Sequence, residues 1–214
     1  MLENRIIKIL LFLAIANISY AQIINTVGGV GFAGYHTSDK SVNDNLSANF
    51  SLHLGLNYQH YITDFFSIDI GAQYALKGAR FTEPIFDSSI GVYLHYIEFP
   101  LVARVHFNLF KKDIFLDGGL YRARGVIGHA TAVVLSGVLS ESIKFDGSES
   151  NLEEWDTGFT VGGGYKTGDH QIRFSFDIST SDSDPGIETF RNFVGKISYI
   201  RPLVNFKKKQ SEGI

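Results

Sequence analysis

The sequence predicts an all-β protein, an eight-stranded antiparallel up-and-down transmembrane β-barrel, and three observations support this fold class. First, apolar and polar residues alternate along two adjacent runs, Phe50–Gln59 and Phe66–Lys77, and a period of two is typical of β-strands. Each run has roughly ten residues, which suits a tilted strand that crosses a bilayer. Second, short and long connections follow one another in strict order along the chain. Third, the first 21 residues have the pattern of an export signal.

The predicted export signal covers the first 21 residues. A short basic region and an apolar run from Ile6 to Ile18 are followed by the small-residue ending Ser19-Tyr20-Ala21. This pattern is typical of a secretory signal peptide and predicts cleavage before Gln22. An uncleaved membrane anchor is the alternative, but it would need about 20 apolar residues, and Asn17 interrupts this run. The predicted organisation is a signal peptide over 1–21, a barrel over 22–206 and a basic C-terminal tail over 207–214.

Eight strands follow the signal, and their connections alternate in length. We predict strands over 24–35, 48–60, 65–78, 92–108, 114–124, 155–166, 170–180 and 190–203. The connections over 61–64, 109–113 and 167–169 are tight, whereas those over 36–47, 79–91, 125–154 and 181–189 are long and polar. Outer-membrane barrels have short periplasmic turns and longer external loops, so both chain ends are expected on the periplasmic side. A soluble barrel or sandwich, with its apolar face turned inward, is the alternative.

Residue parity within the strands predicts a polar lumen and an apolar exterior. Four acids and four bases then face the lumen: Asp69, Lys77, Glu98, Arg104, Asp117, Arg173, Asp177 and Lys196. Eight strands leave an interior just wide enough for side chains, and an isolated buried charge is costly. We therefore predict a paired network that fills the lumen rather than an open pore. Which acid meets which base is not given by the pattern.

Aromatic residues on the opposite parity lie near both ends of the strands. Rings at the two membrane interfaces are typical of such barrels, although aromatic packing in the core of a soluble sheet would produce the same spacing. The predicted outward aromatics are Phe50, Tyr58, Phe66, Tyr74, Phe159, Tyr165, Phe193 and Tyr199.

The fourth strand departs from the simple pattern and also carries a family resemblance. Proline cannot donate a hydrogen bond to a ladder, so a bulge or a broken bond is predicted at Pro100. The run Tyr96-Ile97-Glu98-Phe99-Pro100-Leu101 resembles the aromatic-x-Glu-x-Pro-Leu signature of the PorT-like outer-membrane β-barrel family. The elements Gly119-Leu120-Tyr121 and Gly162-Gly163-Gly164-Tyr165 are similar too, whereas the chain continues past Phe206, where family members often stop. The resemblance covers nearly the whole mature chain. It implies a barrel and, for the named member, an association with protein secretion.

Catalytic and cofactor signals are weak, so we predict no enzyme, no cofactor and no metal site. The G-x-G-x-x-G string at 29–34 lies in a predicted strand without the helix that a nucleotide site needs. Ser51, His53 and Glu98 would form an acyl-transfer set only if they converged beside a lateral opening. The seven His residues show no zinc-ligand spacing.

The predicted role is structural or interactive, with a link to envelope biogenesis or protein secretion. A lipid A-modifying acyl-transfer or deacylase enzyme and a small ligand-binding or transport barrel are the alternatives. Expected partners are outer-membrane lipid and lipopolysaccharide, which the outward Arg122 and Arg124 would contact. The loop over 125–154 is expected to meet an envelope protein, because 132–139 is too apolar for a solvated loop. It would extend a hairpin, cover the mouth or offer a partner surface. No basic stripe predicts nucleic acid, and the oligomeric state stays open.

Overall fold

The computed structural model describes residues 22–83, 88–109, 111–134, 137–145, 152–181 and 190–206. The predicted signal peptide and basic tail lie outside these ranges. No helix within them is long and apolar enough to cross a membrane. The elements in chain order are β1 (Gln22–Thr37), α1 (Lys40–Asn43), β2 (Leu46–Thr63), β3 (Phe66–Glu83), β4 (Ser88–Leu109), β5 (Lys112–Val134), β6 (Gly137–Ile143), β7 (Trp155–Thr167), β8 (His170–Ser179) and β9 (Phe190–Asn205).

The strands form one antiparallel sheet that closes on itself. Its order is β4-β3-β2-β1-β9-β8-β7-β5-β6, and an additional pairing joins β4 to β5. The ring therefore contains eight strands, while among the described strands β6 pairs only with the far end of β5. The fold-class prediction is confirmed. The three tight connections join β2 to β3, β4 to β5 and β7 to β8, and Gly168 in the last has a φ of 59°, which glycine adopts without strain.

The two faces of each strand differ in solvent exposure in the way expected of a membrane barrel. Leu54 is 64% exposed, whereas the next inward residue, His53, is 1% exposed. The same contrast separates Ile70 from Asp69 on β3. A soluble sandwich would show the reverse, because its core is apolar. The predicted orientation, apolar outside and polar inside, is confirmed.

Two predicted long loops are largely strand. The fifth strand was expected to end at residue 124, but β5 continues to Val134 and pairs there with β6. Likewise the connection predicted over 79–91 is mostly ladder, since Thr82 pairs with Ser89. The loop boundaries were wrong because polar residues do not end a strand pair once it leaves the membrane. Each backbone group still needs a partner, and the ladder supplies it.

The ladder beside Pro100 is interrupted, as predicted. Pairing between β3 and β4 runs to Ile70 and Leu101, then resumes at Gln73 and Glu98 without a change of register. Gly71 leaves room for the proline, because a Cβ there would lie 3.0 Å from Pro100 Cγ. The register shift in β4 lies elsewhere, between residues 95 and 96 on the β5 side.

The seam between β1 and β9 closes the barrel. Phe32 pairs with Gly195, and Gly34 pairs with Phe193, so each ring lies over the glycine of the opposite strand. On the lumen side, a Cβ at Gly31 would lie 1.9 Å from the carbonyl oxygen of Gly195. The G-x-G-x-x-G string is therefore part of this seam, where small residues allow two backbones to approach closely.

Candidate functional site

The charged side chains of the lumen form two clusters. The structure places all eight residues predicted for the lumen inside the barrel, together with a ninth, Asp156. We call the group nearer the short turns the turn-side cluster: Asp69, Arg104, Asp117 and Arg173. We call the group nearer the long connections the loop-side cluster: Lys77, Glu98, Asp156, Asp177 and Lys196.

The turn-side cluster balances two bases against two acids. Arg173 donates from Nε to Asp117 Oδ2 at 2.8 Å and from Nη2 to Asp117 Oδ1 at 2.8 Å, a bidentate pair. Arg104 Nη2 lies 3.0 Å from Asp69 Oδ2 and 3.2 Å from Asp117 Oδ2. Its Nη1 donates to Gln171 Oε1 at 2.9 Å. Four strands, β3, β4, β5 and β8, are thereby joined across the lumen.

The loop-side cluster contains three acids and two bases. Lys77 Nζ lies 2.9 Å from both Glu98 Oε2 and Asp156 Oδ2, and the lysine is fully buried. Lys196 Nζ donates to Glu98 Oε1 at 2.8 Å and also pairs with Asp177. Glu98 of β4 thus joins Lys77 of the neighbouring strand β3 to Lys196 of β9 across the lumen.

Asp156 is the charged lumen residue that sequence reasoning missed. Besides Lys77, it accepts hydrogen bonds from Ser179 Oγ at 2.6 Å and from Tyr121 Oη at 3.3 Å. It shares its parity with Thr160, which is also buried. The alternation of inward and outward residues in β7 would therefore have predicted that Asp156 faces the lumen. Asp156 lies beside the first residue of the strand, however, and the ends of a strand are the least certain part of its assignment.

An aromatic cover lies at the loop end of the lumen. Lys77 Nζ is 4.4 Å from the ring centroid of Tyr121 and 5.2 Å from that of Tyr96. Phe145, which follows β6, packs edge-on against Tyr96 at 5.4 Å. Gly125 makes room for it, because a Cβ there would lie 2.4 Å from the Phe145 ring. The buried cluster contains Tyr35, Ala79, Leu94, Tyr96, Tyr121, Ala123 and Phe145.

A small polar cavity remains inside the barrel. It measures about 40 Å³ and is lined by members of both clusters. This space is large enough for about three water molecules. His53 Nδ1 and Asn57 Oδ1 beside it have no hydrogen-bond partner among the described residues. Within the described ranges, no three His, Asp or Glu side chains are grouped to hold a metal ion.

The acyl-transfer set considered from the sequence is not assembled. Ser51 Oγ donates to the carbonyl of Leu76 at 2.8 Å instead of meeting a base. His53 Nε2 lies 2.8 Å from the hydroxyl of a different serine, Ser198. Glu98 is occupied by the two lysines. The serine and histidine that do meet are buried in the lumen, where a lipid chain does not reach them.

Closure through eight strands, an apolar exterior and an ionised, filled interior together define an integral β-barrel protein of the outer membrane. The sequence matches the family described as "Outer membrane protein beta-barrel domain" over residues 20–181. The chain belongs to this family, and it is therefore a protein of the outer membrane. The finer PorT-like assignment stays a prediction.

A search of solved structures found outer-membrane proteins that are similar to this chain at low sequence identity. Neisserial surface protein A (NspA) is 9% identical with a TM-score of 0.50, over 85% of this chain and 97% of its own. Ail of Yersinia pestis is 11% identical with a TM-score of 0.42, over 88% and 100%. The outer membrane enzyme PagL is 13% identical with a TM-score of 0.43, over 84% and 99%. A search of curated proteins found no match.

Proposed function

We propose that this protein is a closed outer-membrane barrel that neither conducts nor catalyses and that acts through its external face as a structural or interaction protein. The observation that carries the proposal is the filled lumen. Nine charged side chains form ion pairs across it, and the cavity between them measures only about 40 Å³. A transport barrel would need a continuous cavity, and an enzyme would need its reacting groups beside substrate.

The external hairpin of β5 and β6 is the surface best suited to a partner. Val138 and Leu139 are each 66% exposed, and Val133 across from Val138 is 48% exposed. In addition, β6 lies at the end of the sheet order and, within the part of the chain that the structure describes, pairs with β5 alone. An apolar patch beside an open strand edge favours recognition by strand addition.

The link to envelope biogenesis or protein secretion rests on the PorT-like resemblance and belongs to this proposal. The motifs that carry the resemblance describe parts of the barrel wall. Glu98 pairs with Lys77 and Lys196, and Pro100 lies opposite Gly71. Residues that form the barrel wall indicate a common fold and do not indicate a common partner. The choice of partner is therefore expected to depend on the residues of the hairpin.

Site-specific photo-crosslinking in intact cells tests the hairpin. A photoreactive residue at Val138 or Leu139 is expected to give a discrete protein adduct, and the same residue at lipid-facing Leu54 is expected to give none. The adduct should disappear when Val133 is changed to aspartate, because the charge interrupts the apolar patch. Absence of protein adducts at every hairpin position would contradict the interaction role.

Planar-bilayer recording tests the closed lumen. The purified barrel is expected to show no steady ion conductance, because the two charged clusters and the aromatic cover obstruct the path. A stable, reproducible conductance at neutral pH would favour the transport alternative and overturn the closed-barrel proposal.

A further inference from the structure

The height of Arg122 on the outer wall places it at the external membrane interface. Ten residue steps separate it from Lys112 at the short-turn end of β5. At roughly 3.3 Å per residue and a tilt of about 40°, these steps rise about 25 Å, which matches the apolar band of outer-membrane barrels. The outward residues between them, including Leu116 and Leu120, are exposed and apolar. Arg122 thus lies where the phosphates of outer-leaflet lipids are found.

The guanidinium of Arg122 has no acidic partner within the described ranges. Its neighbour Arg124 differs, because it forms an ion pair with Glu154. Arg122 instead lies over the ring of Trp155, with 4.1 Å between its Cζ and the ring centroid. The stacking orients the cation and leaves its N–H groups available to an anion.

A groove in the wall lies beside this cation and extends below it as far as Leu101, Leu120 and Phe159. It has a volume of about 350 Å³ and lies between the outward residues of β4, β5 and β7. Small side chains deepen it, since Thr157 pairs with Arg122 across the ladder and Thr180 lies beside Thr157. Its apolar walls are formed by Phe99, Leu101, Leu120 and Phe159.

We propose that this wall binds a phosphorylated lipid of the outer leaflet, of the lipid A type, with a phosphate on Arg122 and an acyl chain in the groove. The cation supplies charge complementarity, and a planar guanidinium bonds two phosphate oxygens at once. The groove supplies the apolar contact that a free phosphate would not use. The site is independent of the hairpin that the interaction role requires.

Energy transfer from Trp155 gives a direct test, because this residue is the single tryptophan of the chain and contacts Arg122. The barrel is reconstituted in phosphatidylcholine vesicles and titrated with dansyl-labelled lipid A. Arg122→Gln is expected to raise the midpoint of the titration roughly fivefold to tenfold, as for loss of one charge-assisted bond. The midpoint is compared rather than the amplitude, since Arg122 touches the fluorophore itself. Arg201→Gln is the matched control, because this arginine of β9 is also exposed but lies at the short-turn end of the barrel, and it is expected to leave the midpoint unchanged.

Two further arms separate the phosphate from the lipid. Lipid A without phosphates is expected to bind the unmodified barrel as weakly as intact lipid A binds the Arg122→Gln variant. Inorganic phosphate at millimolar concentration is expected not to compete. Equal midpoints for the two arginine variants would overturn the proposal. Full competition by inorganic phosphate would also overturn it, because the site would then recognise a free anion. Both variants are checked for barrel structure by circular dichroism, so that misfolding is not read as lost binding.

Discussion

Replacing Lys77 by methionine is expected to lower the free energy of unfolding by about 3–5 kcal/mol, the cost of removing one partner from a buried ion pair. Lys77 is fully buried and lies 2.9 Å from both Glu98 and Asp156. Methionine fills a similar volume but leaves two carboxylates facing each other in a region that already has one acid in excess. Urea unfolding from lipid vesicles, followed through the fluorescence of Trp155, measures the change.

Two control variants make the Lys77 experiment specific to charge. Lys112→Met, at an exposed position near the short turn, is expected to change stability by no more than about 0.5 kcal/mol. Adding Asp156→Asn to Lys77→Met removes one of the stranded carboxylates and is expected to restore a large part of the loss. If Lys77→Met alone costs less than about 1 kcal/mol, the loop-side cluster does not stabilise the barrel as an ion-pair network.

Replacing Gly31 by valine is expected to prevent the barrel from closing. A Cβ at this position would lie 1.9 Å from the carbonyl oxygen of Gly195 and 3.1 Å from the Cα of Lys196. Both are backbone atoms, so no side-chain rotation relieves the clash, and β1 must separate from β9. An open seam leaves unpaired backbone groups in hydrocarbon, at a cost of several kcal/mol each. The expected result is loss of the heat-modifiable folded band after refolding into detergent or lipid.

Gly28 on the same strand provides the matched control. It faces the lipid, and its nearest neighbour would be Leu54 Cδ1 at 3.3 Å, the end of a flexible side chain. Gly28→Val is therefore expected to fold normally, since valine favours strand structure and suits an apolar exterior. If both valine variants fold equally well, close backbone approach is not what the seam requires.

The filled lumen has a consequence for how such a barrel can evolve new roles. Most charged residues of the interior have more than one partner, as Glu98 does with Lys77 and Lys196. A single change therefore leaves several buried groups unsatisfied. The exterior carries no such constraint, because lipid-facing positions tolerate exchange among apolar residues. Specific function is accordingly expected on the external hairpin and on the wall near Arg122.

The sequence by itself was enough to predict the strands within the membrane and the direction in which their side chains point. The period of two is a property of the extended backbone, so Leu54 and His53 are assigned to opposite faces without knowledge of any other strand. The same parity placed Asp69, Arg104 and Asp117 in the lumen. The alternating segments predicted the eight strands of the ring, whereas the sidedness of the barrel, inferred from the order of short and long connections, stays a prediction.

Only the tertiary structure decided which groups meet. Lys77 and Asp156 are 79 residues apart in the chain, and His53 and Ser198 are 145 apart. Whether such residues meet depends on the register shifts between all neighbouring strands that separate them around the ring. A local sequence pattern does not determine these accumulated shifts. The extension of β5 with β6, and the position of Phe145 over the mouth, likewise depend on long-range contacts above the membrane. Local backbone geometry determines the faces of a strand, whereas the register between strands determines its partners.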